Sequence, residues 1–340
     1  MDQYVGLDVS LKETSISVRQ DRKRIWRGKC PSHPTAVTEA IRKHAPAALL
    51  VVFETGPLAT WFHRCLVAEG LPAVCIDARH AKAALNTAPN KTDSNDADGL
   101  ALLAEAGFFR QVRVKSFKAM QVRALIGGRS QLVGISTELS NHIRGVMKTF
   151  GLVVPKGGGR IFEANVRTLL AGQEALASIL LPLLETWRAA RMQAARLDRQ
   201  LMAVARASAA CRLLMTAPGV GPLTALPYTS MIEDPANFKN SQAVGAYVGL
   251  TARSYQSGEI DYHGHISKRG DKRVRALLYE AAAIVLSRVR SPSALRSWGL
   301  KPMKRAGFKR AVVGVARKLA VILHAMWRDG IAFDPMIVAA

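Results

Sequence analysis

Val-Gly-Leu-Asp-Val-Ser, residues 5–10, is the stretch of sequence that decides the fold. Apolar residues lead to a single acid, Asp8, a pattern that predicts a buried strand ending at a carboxylate. A carboxylate in such a position is costly unless it is paired or binds a metal ion. The stretch therefore predicts that other acids of the chain lie close to Asp8.

The residues around this stretch predict an α/β domain. Alternating apolar and polar residues favour a three-stranded antiparallel meander, and further apolar runs and helical spacings follow it. The predicted order βββαβαβ covers residues 4–8, 14–19, 24–30, 35–44, 48–54, 56–69 and 72–76. This order indicates a mixed sheet with helices on its faces, the ribonuclease-H/RuvC-like layout.

Three further acids are expected near Asp8. Glu54 ends the predicted strand 48–54, and Asp93 and Asp96 lie three residues apart in the first turn of a helix after Thr92, on one face. Asp98 points away from that face, so we interpret it as a solvated or dipole-stabilised acid outside the site.

The four acids Asp8, Glu54, Asp93 and Asp96 predict a site for one or two Mg²⁺ ions, with Mn²⁺ as a possible substitute. Hard oxygen ligands suit these ions, and a metal pair stabilises the attacking and leaving oxygens of phosphoryl transfer. Any one of these acids alone is more often a turn cap or a helix-dipole partner. Their occurrence together in a basic chain favours the metal site.

The same N-terminal stretch also fits a different class of protein. Gly-Leu-Asp-Val-Ser followed by a strand is similar to the first phosphate loop of sugar kinases and actin-like ATPases. Those folds need a second Asp-containing phosphate loop and a Gly-Gly adenosine motif, and neither is found in this sequence. A strongly basic chain also suits a small-molecule kinase poorly.

Charge predicts a polyanionic partner. The 340-residue chain has a net charge of +23, with 16 Lys and Arg against 12 Asp and Glu in residues 1–115 and 32 against 13 in the remainder. Nucleic acid is the first candidate, ahead of ribosome-like non-specific binding or an acidic membrane surface. Residues 262–325 contain 15 basic residues against 2 acids and form the densest basic region.

Composition predicts a globular cytosolic protein. Hydrophobic residues make up 49% of the chain, and no signal peptide or apolar run of about 18 residues is present. The four scattered cysteines lack CxxC pairing, which fits a reduced compartment without structural zinc. We expect three parts: an α/β domain at 1–114, a helical region at 115–210 and a mainly α domain at 211–340.

The middle region is expected to be helical. Residues 115–150 lack proline and predict one long helix. A second helix, with Pro182 near its start, carries an a/d pattern of more than three heptads: Leu180, Leu183, Trp187, Ala190, Ala194, Leu197, Leu201 and Val204. We expect this helix to form a coiled-coil-like arm, either with the first helix or with a second copy; an ordinary amphipathic helix is the alternative.

Two features of the last part favour nucleic acid. Pro-Gly-Val-Gly-Pro at 218–222 resembles the hairpin of a helix-hairpin-helix element, in which Gly219, Val220 and Gly221 would bring backbone N–H groups to a phosphate. A plain glycine-rich linker is the alternative. The second feature is a basic cluster suited to phosphate contacts, Lys268, Arg269, Lys272 and Arg273.

Composition predicts a turn between extended segments at Ser257-Gly258. Spacing alone does not make Ser257 a nucleophile, because no base is identifiable beside it in sequence. His263 and His265 follow nearby, but lone histidines are more often structural.

These strings together resemble the DEDD-type transposases of bacterial insertion sequences, the family whose elements make a bridging guide RNA. The N-terminal strings are Gly-Leu-Asp at 6–8, Glu-Thr-Gly-Pro at 54–57 and Lys-Thr-Asp-x-x-Asp-Ala at 91–97. The C-terminal strings are Pro-Gly-Val-Gly-Pro at 218–222, Tyr-Val-Gly-Leu at 247–250, Gln-Ser-Gly at 256–258 and Ile-Ser-Lys-Arg-Gly at 266–270. Ala252 departs from the family, which commonly has proline there.

The resemblance implies roles that spacing does not. Ser257 would be the nucleophile that attacks a DNA phosphodiester, and Asp8, Glu54, Asp93 and Asp96 would act with Mg²⁺ at the same phosphate. The site would be composite, built by subunits of a dimer or tetramer, and bridge RNA would pair with donor and target DNA. A junction-resolving nuclease with water as nucleophile, and an inactive nucleic-acid-binding repressor, are the alternatives.

Overall fold

The computed structural model describes residues 1–85, 92–258 and 260–336. Within them the chain divides into an N-terminal unit, Met1–Phe117, and a C-terminal unit, Lys118–Ala340. The further division predicted at residues 210 and 211 stays a prediction.

A five-stranded mixed sheet organises the N-terminal unit, with strand order β3-β2-β1-β4-β5. Its strands are β1 (Gln3–Val9), β2 (Glu13–Gln20), β3 (Lys23–Pro31), β4 (Ala48–Glu54) and β5 (Ala73–Ile76). The first three form an antiparallel meander, whereas β1, β4 and β5 are parallel. The predicted mixed sheet and its strand order along the chain are confirmed.

Helices cover both faces of this sheet. They are α1 (Pro34–His44), α2 (Ala59–Ala68), α3 (Ala78–Leu85) and α4 (Asp93–Glu105). Val5 and Leu7 of β1 pack with Phe62 of α2 on one face, while Leu100 of α4 packs against Val52 on the other. The helix α3 was not predicted, and α2 begins at Ala59 rather than at the predicted Gly56-Pro57.

Over its described residues the C-terminal unit is helical apart from one hairpin. Its elements are α5 (Phe117–Thr149), α6 (Arg160–Leu169), α7 (Glu174–Ala207), α8 (Ala209–Leu214), α9 (Pro222–Ile232), α10 (Gln242–Tyr247), β6 (Ala252–Ser257), β7 (Ile260–Ile266), α11 (Lys272–Ser287), α12 (Ala294–Ala306) and α13 (Phe308–Asp329). The largest core cluster joins α9, α11 and α13, where the buried Tyr228 hydroxyl donates a hydrogen bond to the Ala320 carbonyl at 2.6 Å.

The two long helices lie together within the chain. Arg129 of α5 donates to Asp198 of α7 at 2.9 Å, and their other ends share a cluster around the buried Trp187. The expected position of Pro182 is wrong: α7 begins at Glu174, because Leu176 is also buried in this cluster, so the proline lies inside the helix. The coiled-coil interpretation and pairing with a second copy stay predictions.

None of the helices in the described ranges is both long and apolar enough to cross a membrane.

Candidate functional site

Two of the predicted acids lie at the same edge of the sheet. Asp8 is the second-last residue of β1, and Glu54 is the last residue of β4. These strands are parallel neighbours, and Leu7 pairs with Phe53. Asp8 and Glu54, the next residue of each strand, therefore lie beside each other at the same end of the sheet. Both residues are half-buried. The sheet edge therefore places side by side the two acids that the sequence predicted from separate apolar runs.

The other two acids begin α4, which lies directly on β1. Asp93 is its first residue and Asp96 its fourth; the Thr92 side chain caps it by accepting from the Asn95 N–H at 3.2 Å. The approach is so close that a Cβ on Gly6 would lie 2.1 Å from the Ala97 carbonyl oxygen. The absent side chain at position 6 thus lets the first turns of α4 rest against the strand that carries Asp8.

Asp93 and Asp98 have different ion-pair partners. Asp93 is exposed and lies 3.7 Å from the Lys29 ammonium. Asp98 accepts from the Ser17 hydroxyl at 2.9 Å and pairs with Arg19 at 3.2 Å. The interpretation of Asp98 as solvated or dipole-stabilised is therefore wrong, since it tethers α4 to β2, a role that also keeps it out of the predicted acid site.

Asp77 is an acid at this edge that sequence reasoning missed. It directly follows β5, as Asp8 and Glu54 end their strands, and that shared pattern was the available signal. Its carboxylate accepts from the Arg79 N–H at 3.0 Å and so caps α3. Nearby, burial and then the charge of Glu54 raise the pKa of Cys75 to about 11, so this cysteine stays a thiol at neutral pH.

The acid set fits a hard divalent cation by its chemistry, because every predicted ligand is a carboxylate. In the part of the chain that the structure describes, no three Asp, Glu, His or Cys side chains form a group that could hold an ion. Asp93 pairs with Lys29 instead. Convergence of all four acids thus stays a prediction. Lys91, which begins the string at 91–97, lies outside the described residues.

Ser257 lies at the tip of an exposed hairpin. It is the last residue of β6 and pairs with Ile260 of β7, and Gly258, which follows it in a turn, has a φ of +57°. Glycine is suited to this left-handed conformation. The predicted turn between extended segments is confirmed. Gln256 donates to the Asp261 carboxylate at 3.2 Å and ties the strands together beside the serine.

The base of this hairpin is locked by two glycines from distant strings. A Cβ on Gly249 would lie 1.9 Å from the Arg269 carbonyl oxygen, and one on Gly270 would lie 2.0 Å from the Tyr247 carbonyl oxygen. Arg275 of α11 donates to the Val248 carbonyl at 2.9 Å across the same junction. These contacts give the strings at 247–250 and 266–270 a structural role: they hold the hairpin that bears Ser257.

The Pro-Gly-Val-Gly-Pro string lies between α8 and α9, and its identification as a helix-hairpin-helix element stays a prediction. Gly219 has a φ of +78°, and its Cβ would lie 2.6 Å from the Ala281 carbonyl oxygen of α11. Val220 is buried, and Gly221 is the N-cap of α9. Packing within the unit is therefore enough to explain Gly219 and Val220, and their contact with nucleic acid stays a prediction.

The predicted basic cluster is exposed and surrounds the start of α11. Lys268, Arg269, Lys272 and Arg273 are all exposed. Between them, Asp271 caps α11 through the N–H groups of Arg273 and Val274 and pairs with Arg123 at 2.8 Å. Cations in the first turn of a helix oppose its dipole. Helix stability therefore does not account for Lys272 and Arg273, whereas an anionic ligand would.

These features define a protein that combines an acid-bearing mixed sheet with a basic helical unit. Residues 5–151 match a family of DEDD transposases of the IS110 type, described as "Transposase", and residues 211–298 match the "Transposase IS116/IS110/IS902 family". The transposase for insertion sequence element IS1111A of Coxiella burnetii is 33% identical over 283 residues, 81% of this chain and 77% of that protein.

The chain belongs to the IS110/IS116/IS902 family of transposases. The probable family 20 transposase of Pseudomonas aeruginosa is 30% identical over 72% of this chain and 75% of its own length. The pilin gene-inverting protein of Moraxella lacunata is 32% identical over 37% of this chain and 39% of its own length. Among solved structures, Thermus thermophilus RuvC with a Holliday junction substrate covers 33% of this chain and 100% of its own, with 14% identity and a TM-score of 0.27, too slight a likeness to bear on the fold.

Proposed function

We propose that this transposase cuts and exchanges DNA strands by serine attack, under the direction of a guide RNA. The observation that supports the proposal is the end of the sheet where Asp8 and Glu54 lie on neighbouring strands, and where Gly6 lets α4, the helix that begins with Asp93, pack on β1. Ser257, exposed at a hairpin tip, supplies a hydroxyl that a DNA phosphate can reach. The Moraxella lacunata relative is named for inverting a pilin gene, and inversion of a gene is a DNA rearrangement that also requires strands to be cut and rejoined.

In the proposed reaction the Ser257 Oγ attacks phosphorus and loses its proton. A serine–phosphate ester forms, the bond from phosphorus to one deoxyribose oxygen breaks, and that oxygen leaves with a proton. The hydroxyl of a second strand then reverses the step, releases Ser257 and joins the new strands. Asp8, Glu54, Asp93 and Asp96 would hold Mg²⁺ or Mn²⁺, which when bound neutralises charge on the phosphate oxygens.

Nucleic-acid backbone would be held by the C-terminal unit, through the cluster Lys268, Arg269, Lys272 and Arg273 and the N–H groups of Gly219, Val220 and Gly221. Guide RNA would pair with donor and target DNA, and a dimer or tetramer in the bacterial cytoplasm would bring acids and serine to one phosphate.

A suicide DNA substrate with guide RNA and Mg²⁺ tests the proposal. We expect a covalent DNA adduct on Ser257, absent in Ser257→Ala and after ribonuclease treatment. Asp8→Asn should lose the adduct but keep DNA binding. Full strand exchange by Ser257→Ala would instead support a junction-resolving nuclease with water as nucleophile, and cleavage under no condition would support a repressor.

A further inference from the structure

Two tyrosines form an exposed stack on the hairpin that carries Ser257. The rings of Tyr255 in β6 and Tyr262 in β7 lie 4.9 Å apart between centroids, with an angle of 15° between their planes. Their exposed fractions are 43% and 55%. In the described part of the C-terminal unit, neither ring belongs to the hydrophobic core. Large aromatic surface is therefore held in a fixed orientation in solvent.

The stack shares a face of the hairpin with the serine. Tyr255 is paired with Tyr262, and Ser257 with Ile260. Because alternate residues of a strand point to the same side, Tyr255 and Ser257 lie on one face, about 7 Å apart along the strand. Gln256, which bonds Asp261, lies on the opposite face. A ligand at the Ser257 hydroxyl thus has the tyrosine stack as its neighbour.

Gly264 leaves room for the Tyr255 ring in the stack of Tyr255 and Tyr262, which we call the platform. A Cβ at this position of β7 would approach the Tyr255 ring to 3.0 Å, closer than an ordinary contact. The Tyr255 ring therefore extends across a site that a side chain would have filled. The orientation of the ring is fixed by backbone and by Tyr262, so little conformational entropy remains to be lost on binding.

The chemistry of the platform and its surroundings selects the ligand. Planar aromatic rings stack on the π-face of a nucleobase whatever its sequence. The exposed cations Lys268 and Arg269 follow β7 within three residues and complement the phosphate charge of the same ligand. A neutral peptide would match the aromatic surface but not this charge.

We propose that Tyr255 and Tyr262 stack on the unpaired base of the DNA nucleotide that flanks the phosphate attacked by Ser257. This inference rests on the proposed function. Strand exchange separates a cut end from its partner, and the exposed base beside the cut must be held while the strands change places. The stack binds such a base whatever its identity, because every base has a π-face.

Photo-cross-linking tests the placement of the base. The probe is a 20-nucleotide single-stranded DNA with one 5-iododeoxyuridine, bound to the full chain, with an RNA of the same sequence carrying 5-iodouridine as a second arm. Peptide mapping should find the DNA cross-link at Tyr255 or Tyr262. A cross-link confined to other peptides, or one formed with the RNA but not the DNA, would overturn the inference.

Affinity measurements test its contribution. Tyr255→Ala and Tyr262→Ala should each weaken binding of the DNA probe about tenfold without changing the salt slope, because stacking displaces no counterions. Tyr255→Phe keeps the ring and should bind as wild type, even if the alanine variants fold poorly. Phe150→Ala, which removes an exposed aromatic ring elsewhere in the unit, is the matched control. Equal affinities for all variants would contradict the stacking role.

The two proposals fail in different ways. The binding measurements are repeated with Ser257→Ala protein, in which attack by the serine hydroxyl is impossible. Tyrosine-dependent binding without any Ser257 adduct overturns the serine as nucleophile and leaves a base platform of another function. A Ser257 adduct formed equally well by Tyr255→Ala overturns the platform alone.

Discussion

Gly6 has the strictest steric requirement of the residues around the acid edge. Its backbone conformation is ordinary, yet a Cβ would meet the Ala97 carbonyl oxygen at 2.1 Å and the Ala101 nitrogen at 2.4 Å. Both atoms belong to the backbone of α4, so no side-chain rotation relieves the clash. The strand pattern predicted Asp8 beside this glycine. It did not predict the contact with a helix some 90 residues away, because periodicity reports only local spacing.

We therefore expect Gly6→Ala to push α4 off β1. Overpacking of this kind costs about 1–3 kcal/mol of unfolding free energy, and displacement of Asp93 and Asp96 should lower strand exchange further. Urea unfolding and the strand-exchange assay measure the two effects. The matched control is Gly145→Ala in α5, where a Cβ meets open space and should stabilise the helix slightly. Equal stability of the two variants would contradict the close packing.

His324 is a second residue with a testable consequence. In the core of the C-terminal unit its Nε2 donates to the Pro235 carbonyl at 3.1 Å, and its Nδ1 accepts from the Ser241 hydroxyl at 2.9 Å. Burial is the main cause that lowers its pKa; the charge of Arg328 adds to it, against the bond to Pro235 and the charge of Asp329. The neutral ring is thus the folded form.

Because the unfolded chain binds this proton more readily, the stabilisation is complete above about pH 6.5 and is lost as pH falls below it. Urea unfolding between pH 8 and 5 should show stability falling with pH, less steeply in His324→Gln. His142→Gln, which removes an exposed imidazole from α5, is the matched control. His63, whose pKa burial also lowers, contributes in the same direction from the N-terminal unit. If unfolding free energy depends on pH equally in His324→Gln and wild type, His324 does not cause the pH dependence.

At the scale of elements, local patterns predicted the meander, the strand ends and both long helices. They did not predict α3, which Asp77 caps after β5, or the early start of α7, which depends on burial of Leu176 beside Trp187. The base of the β6–β7 hairpin could not be predicted either. Gly249 contacts the segment around Arg269, and Gly270 contacts Tyr247, only after the chain has folded. An isolated two-stranded hairpin is marginally stable in water, so this base fixes its position.

Arg275→Met should loosen the hairpin base. The change keeps most of the apolar stem but removes the hydrogen bonds to the carbonyls of Val248 and Arg269. We expect faster hydrogen exchange of β6 and β7 amides and slower adduct formation at Ser257, with an unchanged core. Arg288→Met, which removes one exposed charge at the other end of α11, is the control for charge. Identical exchange in both variants would show that Arg275 does not anchor the hairpin.

At the scale of the whole molecule, charge is divided unequally between the two units. Residues 1–115 have 16 basic against 12 acidic residues, whereas the remainder, where the predicted phosphate contacts are, has 32 against 13. Each phosphate that a protein cation neutralises releases counterions from the DNA and contributes about 0.9 to the slope of log affinity against log salt. The sequence could predict this asymmetry fully, because net charge needs no fold. It could not predict which cations surround an element such as the start of α11.

Replacement of Lys268, Arg269, Lys272 and Arg273 by Gln should reduce the salt slope for DNA binding by about 3 to 4. Fluorescence anisotropy measures the slope over salt concentrations from about 50 to about 300 mM, where DNA affinity falls steeply with salt. The control removes four exposed cations from the N-terminal unit, Lys12, Lys23, Arg27 and Lys43. Equal slopes for the two variants would indicate diffuse attraction rather than a defined contact surface.

The hairpin also acts as a lever. Ser257 lies five residues beyond Ala252, about 17 Å along an extended strand, so a tilt of about 10° at the base moves its hydroxyl by about 3 Å. Misplacement of about 1 Å can cost a reaction about two orders of magnitude in rate. Substitutions at the base of the hairpin, far from the serine, would thus change the rate of cutting by changing the position of the Ser257 hydroxyl.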